Sequence, residues 1–351
     1  MKISSRLSLI LTVAALGGAA ARVQAQAAEA PSAEAPVDVP VASLVPTNSR
    51  DDATTRAFKL LGKNTIWTKV DQVVVDFPTF HTQGLVKIGD TLFVSAVEVL
   101  ESTMRDVNVT TDSTYDFSID RTEGAGRGWL FKFDLTGKLL GKIELTTGST
   151  YHPGGIDYDG KSLWVPVAQY RPNSHSTIYK VDPTTLASEA VFSEDDHIGG
   201  VVHDARRGTL HGVSWGSRRL YTWKLSNGKP TSTDWMPNVA AYIDYQDCHF
   251  HGRGFMLCGG VSSYSTPSGT SIAFGGLELV DLWRNRPEYQ VPVNQFIDEG
   301  TGPNPGLALT HNAFWAEPLG NGALRFYFMT ESDNQADLLI YDATPWVNRA
   351  P

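Results

Sequence analysis

Five stretches of this chain alternate apolar and polar residues and then stop at a turn. The clearest are residues 129–138, 177–183 and 219–229, and residues 277–282 and 337–345 complete the set. Alternation of this kind over roughly four to eight residues predicts a strand. Ahead of each lies an apolar stretch, and ahead of that, in four cases, a histidine. His81 leads through Gly84 to Leu92, His152 through Gly154 and Gly155 to Leu163, His197 through Gly199 and Gly200 to Leu210, and His311 through Gly320 and Gly322 to Leu324. A unit that recurs in this order marks a repeat architecture. Residues 140–145, 189–192, 233–235 and 289–293 give four of the units a further strand. The last unit lacks one, whereas residues 70–76 precede the first unit with nothing to pair with. Placing 70–76 in the last unit closes a ring and removes an open sheet edge.

The predicted fold class is therefore all-β: a single β-propeller of five blades, closed by an N-terminal strand. Six blades are the alternative, because the span from His81 to His152 is much longer than that from His152 to His197 and could conceal one more. The extra length is an insertion, residues 101–128. Residues 262–275 form a second, rich in Ser, Gly and Thr, and insertions of this size shape a binding face.

Composition narrows the class. The chain has 351 residues, a formal net charge of -9, 19% charged residues, 32 Gly and 19 Pro, as expected of a turn-rich globular protein. A basic start, an apolar run over residues 7–21 and Val23-Gln24-Ala25 read as a signal peptide over residues 1–25. Residues 26–65 read as a flexible leader, 66–345 as the propeller and 346–351 as a tail. The expected location is secreted or periplasmic, with no membrane span. The acidic balance argues against nucleic acid as a partner; the expected partner is a small-molecule or saccharide ligand and the expected state a monomer. Cys248 and Cys258 are the only cysteines. An oxidising compartment lets them pair, and buried free thiols are the other reading. Asn108-Val109-Thr110 matches a glycosylation acceptor.

The strand-turn-strand wording of Gly155-Ile156-Asp157-Tyr158-Asp159-Gly160-Lys161-Ser162-Leu163-Trp164-Val165 resembles that of secreted propellers of the gluconolactonase-like, strictosidine-synthase-like and virginiamycin-lyase-like families. Over residues 66–345 the chain looks closer to an uncharacterised family of secreted propellers with histidine-headed blades. The resemblance implies a metal or polar site in the channel and hydrolase, lyase or synthase chemistry. Members of the better-known families generally have six or seven blades, and none of their catalytic residues is carried over.

Rotational repetition brings equivalent positions of successive blades to one level of the channel. His81 and His152 each stand eleven positions before the apolar strand that follows, while His197 and His311 stand thirteen before theirs. In the fourth unit, aligned on Phe255, Asp244 takes the place of the histidine. Four imidazoles and one carboxylate suit a divalent transition metal, Zn, Mn, Fe, Cu or Ni, so His81, His152, His197, His311 and Asp244 are the candidate ligands. Gln83, Tyr151, Asp196 and Asn312 flank them and could orient the rings or serve only as turn formers. His203, His211, His249 and His251 fall outside the repeat position and are expected to be packed or surface residues. Tyr170 and Arg171 are expected on the opposite face. No phosphate loop, nucleophile elbow or zincin helix is present. The sequence thus points to an exported metal-dependent hydrolase or lyase acting on a small ester, lactone or sugar-derived substrate. The alternative is a non-catalytic secreted binding propeller with a structural histidine ring.

Overall fold

The apolar strand within each repeat is hydrophobic at consecutive positions because both of its faces are covered. In the strand that begins at Leu163, Leu163 and Val165 pack toward the preceding sheet, and Trp164 packs toward the following one. Five such apolar clusters fill the five spaces between neighbouring sheets. The computed structural model describes residues 48–106, 119–265, 267, 271–297, 306–332 and 334–346, all within one compact unit. The proposed signal peptide and Asn108 lie outside the described residues.

Helix α1 (Ala53–Phe58) precedes β1 (Ile66–Val73). Blade one is β2 (His81–Ile88), β3 (Thr91–Glu101), β4 (Ala125–Asp134) and β5 (Leu139–Glu144). In blade two the inner strand is split into β6 (Thr150–Pro153) and β7 (Asp157–Tyr158), followed by β8 (Leu163–Gln169), β9 (Ser176–Val181) and β10 (Ser188–Glu194). Blade three is β11 (Ile198–Asp204), β12 (Thr209–Ser214), β13 (Arg219–Ser226) and β14 (Lys229–Pro237). Blade four is β15 (Asp244–His251), β16 (Phe255–Ser265), β17 (Ser271–Asp281) and β18 (Arg286–Val293). A short pair, β19 (Phe296–Ile297) and β20 (Leu307–Ala308), leads into blade five, made of β21 (Ala313–Gly320), β22 (Ala323–Met329) and β23 (Leu338–Thr344). Strand β1 pairs antiparallel with β23, from Ile66 opposite Thr344 to Val73 opposite Leu338. The ring of five blades is thus closed by the N-terminal strand, as the sequence predicts.

The insertion of blade one conceals no sixth blade among the described residues. It lengthens the hairpin of β3 and β4, which stay paired from Val97 opposite Gly128 to Glu101 opposite Ala125. The histidine-headed segment is itself the inner strand, and the apolar run after it is the second strand of the blade. Part of the stretch read as a leader packs on the propeller from Asn48 onward. Asp52 caps α1 reciprocally with Thr55, and Arg50 makes a buried fork with Asp281 at 3.0 and 2.6 Å. The sequence hides this because the partner lies 231 positions away. Cys248 and Cys258 form a disulfide between the paired strands β15 and β16. Among the described residues no helix is long and apolar enough to cross a membrane.

The inner strands converge on one carboxylate. Asp247 accepts the backbone N–H of Leu85 in blade one at 2.9 Å, of Phe314 in blade five at 3.2 Å and of its neighbour Cys248 at 3.0 Å. Blade two meets it through Gly155, where a Cβ would stand 2.8 Å from Oδ1. Gly155 in turn pairs with Gly200 of blade three in a parallel bridge. Gly84 is equally constrained, for a Cβ there would lie 2.5 Å from the backbone N of Ile156. Below Asp247, His249 Nε2 donates to the Phe314 carbonyl at 2.7 Å and lies 3.4 Å from Asp247 Oδ2, and its Nδ1 lies 3.7 Å from Asp157 Oδ1. Burial drives the imidazole toward the neutral form, but the carboxylates of Asp247 and Asp157 overcome it and push the pKa up to about 10. Burial also drives the Asp247 carboxyl upward, against His249 and the N–H donors. Every neighbour donates to it, so the ionised form is the one that satisfies them.

Removing the charge from Asp247 leaves a buried imidazolium short of a partner, a loss of about 3–5 kcal/mol for broken buried pairs. Asp247→Asn is expected to lower the urea midpoint accordingly, and an unchanged midpoint would show that the plug is dispensable. The pH dependence has a definite sign. The stability from His249 is fully present below its unfolded pKa of 6.5 and is lost as pH rises toward about 10. That alkaline loss should be smaller in Asp247→Asn, as measured by urea denaturation from pH 6.5 to 10.

Candidate functional site

The inner strands begin at the level of the histidines and run away from it, so the second strands run back and the loops after them return to the same face. Both insertions fall there. So does Tyr170, which follows β8 and stacks on His152 with ring centroids 4.1 Å apart. The sequence places Tyr170 and Arg171 on the opposite face because it takes β8 for the inner strand. The returning arm of the blade one insertion leans over this mouth. Arg121 stacks on Trp215 at 4.7 Å, Arg171 pairs with Glu123, and the Tyr151 hydroxyl donates to the Glu123 carbonyl at 2.7 Å.

Below the arm lies a cavity of about 220 Å³ that contains His81, His152 and His197. Ring centroids are 6.3 Å apart for His81 and His152 and 5.5 Å for His152 and His197. Trp215 meets His197 edge to face at 4.7 Å. The three imidazoles are held differently. His197 Nδ1 lies 2.8 Å from the Gln169 carbonyl, which can only accept, so Nδ1 carries the proton and the lone pair sits on Nε2. His81 Nδ1 lies 2.8 Å from Glu331 Oε2, which fixes the same tautomer. His152 is buried, and neither of its ring nitrogens has a hydrogen-bond partner.

Burial keeps two of these rings, His152 and His197, neutral. It carries the His152 pKa well below the ordinary value, helped by His197 and His81, and brings His197 down to about 4 against the opposing carbonyl of Gln169. Glu331 is partly buried, which raises a carboxyl, but His81 and the N–H of Asn334 hold it below the usual range. The mouth thus offers unprotonated imidazole nitrogens at neutral pH, the form that binds metal ions or accepts protons.

The other predicted residues separate. Asp244 lines the cavity but is paired with Arg218. Burial raises its carboxyl and Arg218 opposes this. His311 ends a 3-10 turn, Leu309–His311, and does not line the cavity. Burial lowers its pKa, with His81 adding to the effect and Glu331 opposing it. Gln83 lines the cavity and donates to the Thr82 carbonyl. Asp196 does not touch an imidazole. It accepts the His197 backbone N–H at 2.8 Å, Arg219 Nη1 at 2.5 Å and the Tyr221 hydroxyl at 2.8 Å. Asn312 donates to the Thr82 carbonyl at 2.8 Å and accepts the Glu331 N–H at 3.2 Å. Among the described residues no three His, Cys, Asp or Glu side chains stand close enough, as they lie, to hold a metal ion. Glu331 and Trp215, which follow second strands, and Gln169, which ends β8, escape the sequence reading because they lie outside the repeat position. Asp247 was legible in principle, since it is an aspartate in the column that holds Gly84, Gly155 and Gly200 in the first three blades.

Fold and mouth together define a five-bladed propeller with a histidine-lined, dead-ended pocket. The chain belongs to the family described as a family of unknown function, DUF6454, whose model matches residues 40–345. Three solved structures illustrate what it is similar to. A luciferin-regenerating enzyme aligns with a TM-score of 0.42 and 10% identity over 80% of this chain and 95% of that one. A tail fibre of a Staphylococcus aureus phage gives 0.45 and 9% over 81% and 53%. An endo-arabinanase from Bacillus licheniformis gives 0.41 and 13% over 79% and 98%. No curated protein matches the chain.

The neutral histidines carry a pH signature. Above pH 6.5 neither the folded nor the unfolded chain protonates His197. As pH falls from 6.5 to about 4 the unfolded chain takes a proton that the folded chain refuses, a loss of about 3 kcal/mol. His197→Gln should flatten the acid limb of stability by that order, read as urea midpoints between pH 7 and 4 in buffer containing a chelator. Parallel acid limbs in both proteins would contradict the assignment.

Proposed function

We propose that the mouth is the active site of an exported, metal-assisted hydrolase or lyase acting on a small ester, lactone or sugar-derived molecule. One observation carries the reading: His152 is buried beside two oriented imidazoles with both ring nitrogens unpartnered. Unpaired burial of a polar ring is costly, so the site is built for a group that the protein itself does not supply. The donor set, imidazole nitrogen from His81, His152 and His197, fits a first-row divalent ion. Nitrogens at about 2.1 Å around a tetrahedral ion bring ring centroids to roughly 5 Å apart, so His81 at 6.3 Å from His152 needs to close by about 1 Å, and His197 at 5.5 Å from His152 by about half as much. Such an ion supplies a polarised carbonyl or an activated water. Tyr170 and Trp215 wall the pocket and Gln246 gives it an amide, while Asp247 ties the inner strands together at the axis. The N-terminal pattern and the Cys248–Cys258 disulfide support export. The rival, a binding propeller with a structural ring, is favoured by the spacing of the rings, which as they lie hold no ion.

Tag-free protein is expected to carry or take up one divalent ion per chain, measured by elemental analysis after reconstitution. The metal-loaded protein is then offered lactones, esters and uronate-containing polysaccharides. Turnover of one class is expected, falling by about a hundredfold or more in His152→Ala. Turnover that survives in His152→Ala removes the mouth as the catalytic site, and binding without turnover favours the rival.

A further inference from the structure

We infer that Glu331 is a positioning residue for the mouth: it fixes which nitrogen of His81 faces the ligand, and it reaches His81 across the junction where the ring of blades is closed. The inference rests on the reading of the mouth as a metal site for its consequence, and on hydrogen-bond geometry alone for its first step.

Glu331 follows β22 in blade five, whereas His81 opens β2 in blade one. Glu331 is held at three points, two on its carboxylate and one on its backbone. Its Oε2 accepts from His81 Nδ1 at 2.8 Å and its Oε1 accepts the Asn334 N–H at 2.8 Å. Its own N–H donates to Asn312 Oδ1 at 3.2 Å, and Asn312 Nδ2 donates to the Thr82 carbonyl at 2.8 Å. Thr82 adjoins His81, so the chain of bonds returns to the residue it orients. A carboxylate with both oxygens committed and its backbone tethered cannot follow a rotating imidazole. The ring must come to it, with Nδ1 protonated and Nε2 bare. A carboxylate behind a histidine raises the basicity of the opposite nitrogen and sets the ring's orientation, and loss of such a partner typically weakens metal binding about 10- to 100-fold.

The arrangement also explains why His81, the least buried of the three imidazoles with a side chain 24% exposed, keeps one orientation. His197 obtains the same tautomer from a backbone carbonyl inside the wall of the mouth, and no other described side chain does this for His81. The neighbouring closure contacts are separable from it. Gln335 accepts the Thr79 N–H and donates to the Phe77 carbonyl, each at 3.3 Å, without touching His81.

The test uses the full mature chain as wild type, Glu331→Ala, Glu331→Gln and Gln335→Ala. The first readout is the His81 tautomer by 15N-resolved NMR of metal-free protein at pH 7.5. Wild type is expected in the Nδ1–H form, Glu331→Ala is expected to shift toward Nε2–H, and Glu331→Gln, whose amide oxygen can accept, is expected to keep Nδ1–H in part. The second is Co2+ affinity by absorption titration, expected to fall about 10- to 100-fold in Glu331→Ala and by less in Glu331→Gln. Gln335→Ala should lower Tm while leaving both readouts unchanged. An unaltered His81 tautomer in folded Glu331→Ala overturns the inference, as does equal loss of Co2+ affinity in Gln335→Ala. If wild type shifts its tautomer on mutation as expected but binds no Co2+, the metal reading fails and the positioning role stands.

Discussion

The structure depends on a carboxylate placed where five inner strands meet. A propeller axis brings backbone amides together with no strand partner to receive them, and buried amides left unpaired are costly. Asp247 answers three of them, in blades one, four and five. The His249 imidazolium then balances its charge from below and is shared with Asp157. Because this plug occupies the axis, the channel does not run through. What lies above it is a pocket with one opening, and its floor stands three residues along each inner strand from the histidine level, or roughly 10 Å at the rise of a strand.

The architecture was legible because propeller strands repeat their burial as well as their order. Inner and second strands are covered on both faces, third strands alternate, and outer strands such as β14 are exposed along most of their length. That gradation gave the number of blades and the closure by β1. The order of strands within a blade was less legible, because a two-faced inner strand broken by glycines, as in β6 and β7, reads like a turn. The error moved Tyr170 to the wrong face. Arg50 and Asp281, or Glu331 and His81, form pairs between distant positions that no local pattern announces.

The candidate site was legible by half. Equivalent sequence positions reach one level only while the backbones beneath them are equivalent. Three blades keep a glycine three residues after the histidine, Gly84, Gly155 and Gly200, and those three deliver imidazoles to the mouth. The other two put Asp247 and Phe314 in that column. In blade five the histidine is drawn into a 3-10 turn and His311 leaves the cavity wall. In blade four the head residue is Asp244, paired with Arg218.

Plug and pocket are therefore two results of one departure from symmetry. A fully symmetric ring would place five glycines at the axis, with inward-facing amides and no group to receive them. Substituting an acid in one blade solves that problem, and the bulk of its side chain requires glycine at position 155, since a Cβ there would stand 2.8 Å from Asp247 Oδ1. Gly155, with Gly84 packed against Ile156, lets the inner strands of blades one and two approach each other closely where their histidines share a cavity with His197. The chemistry of the mouth and the stability of the ring draw on one set of contacts, so a substitution at Asp247 should be felt at His152 although neither side chain touches the other.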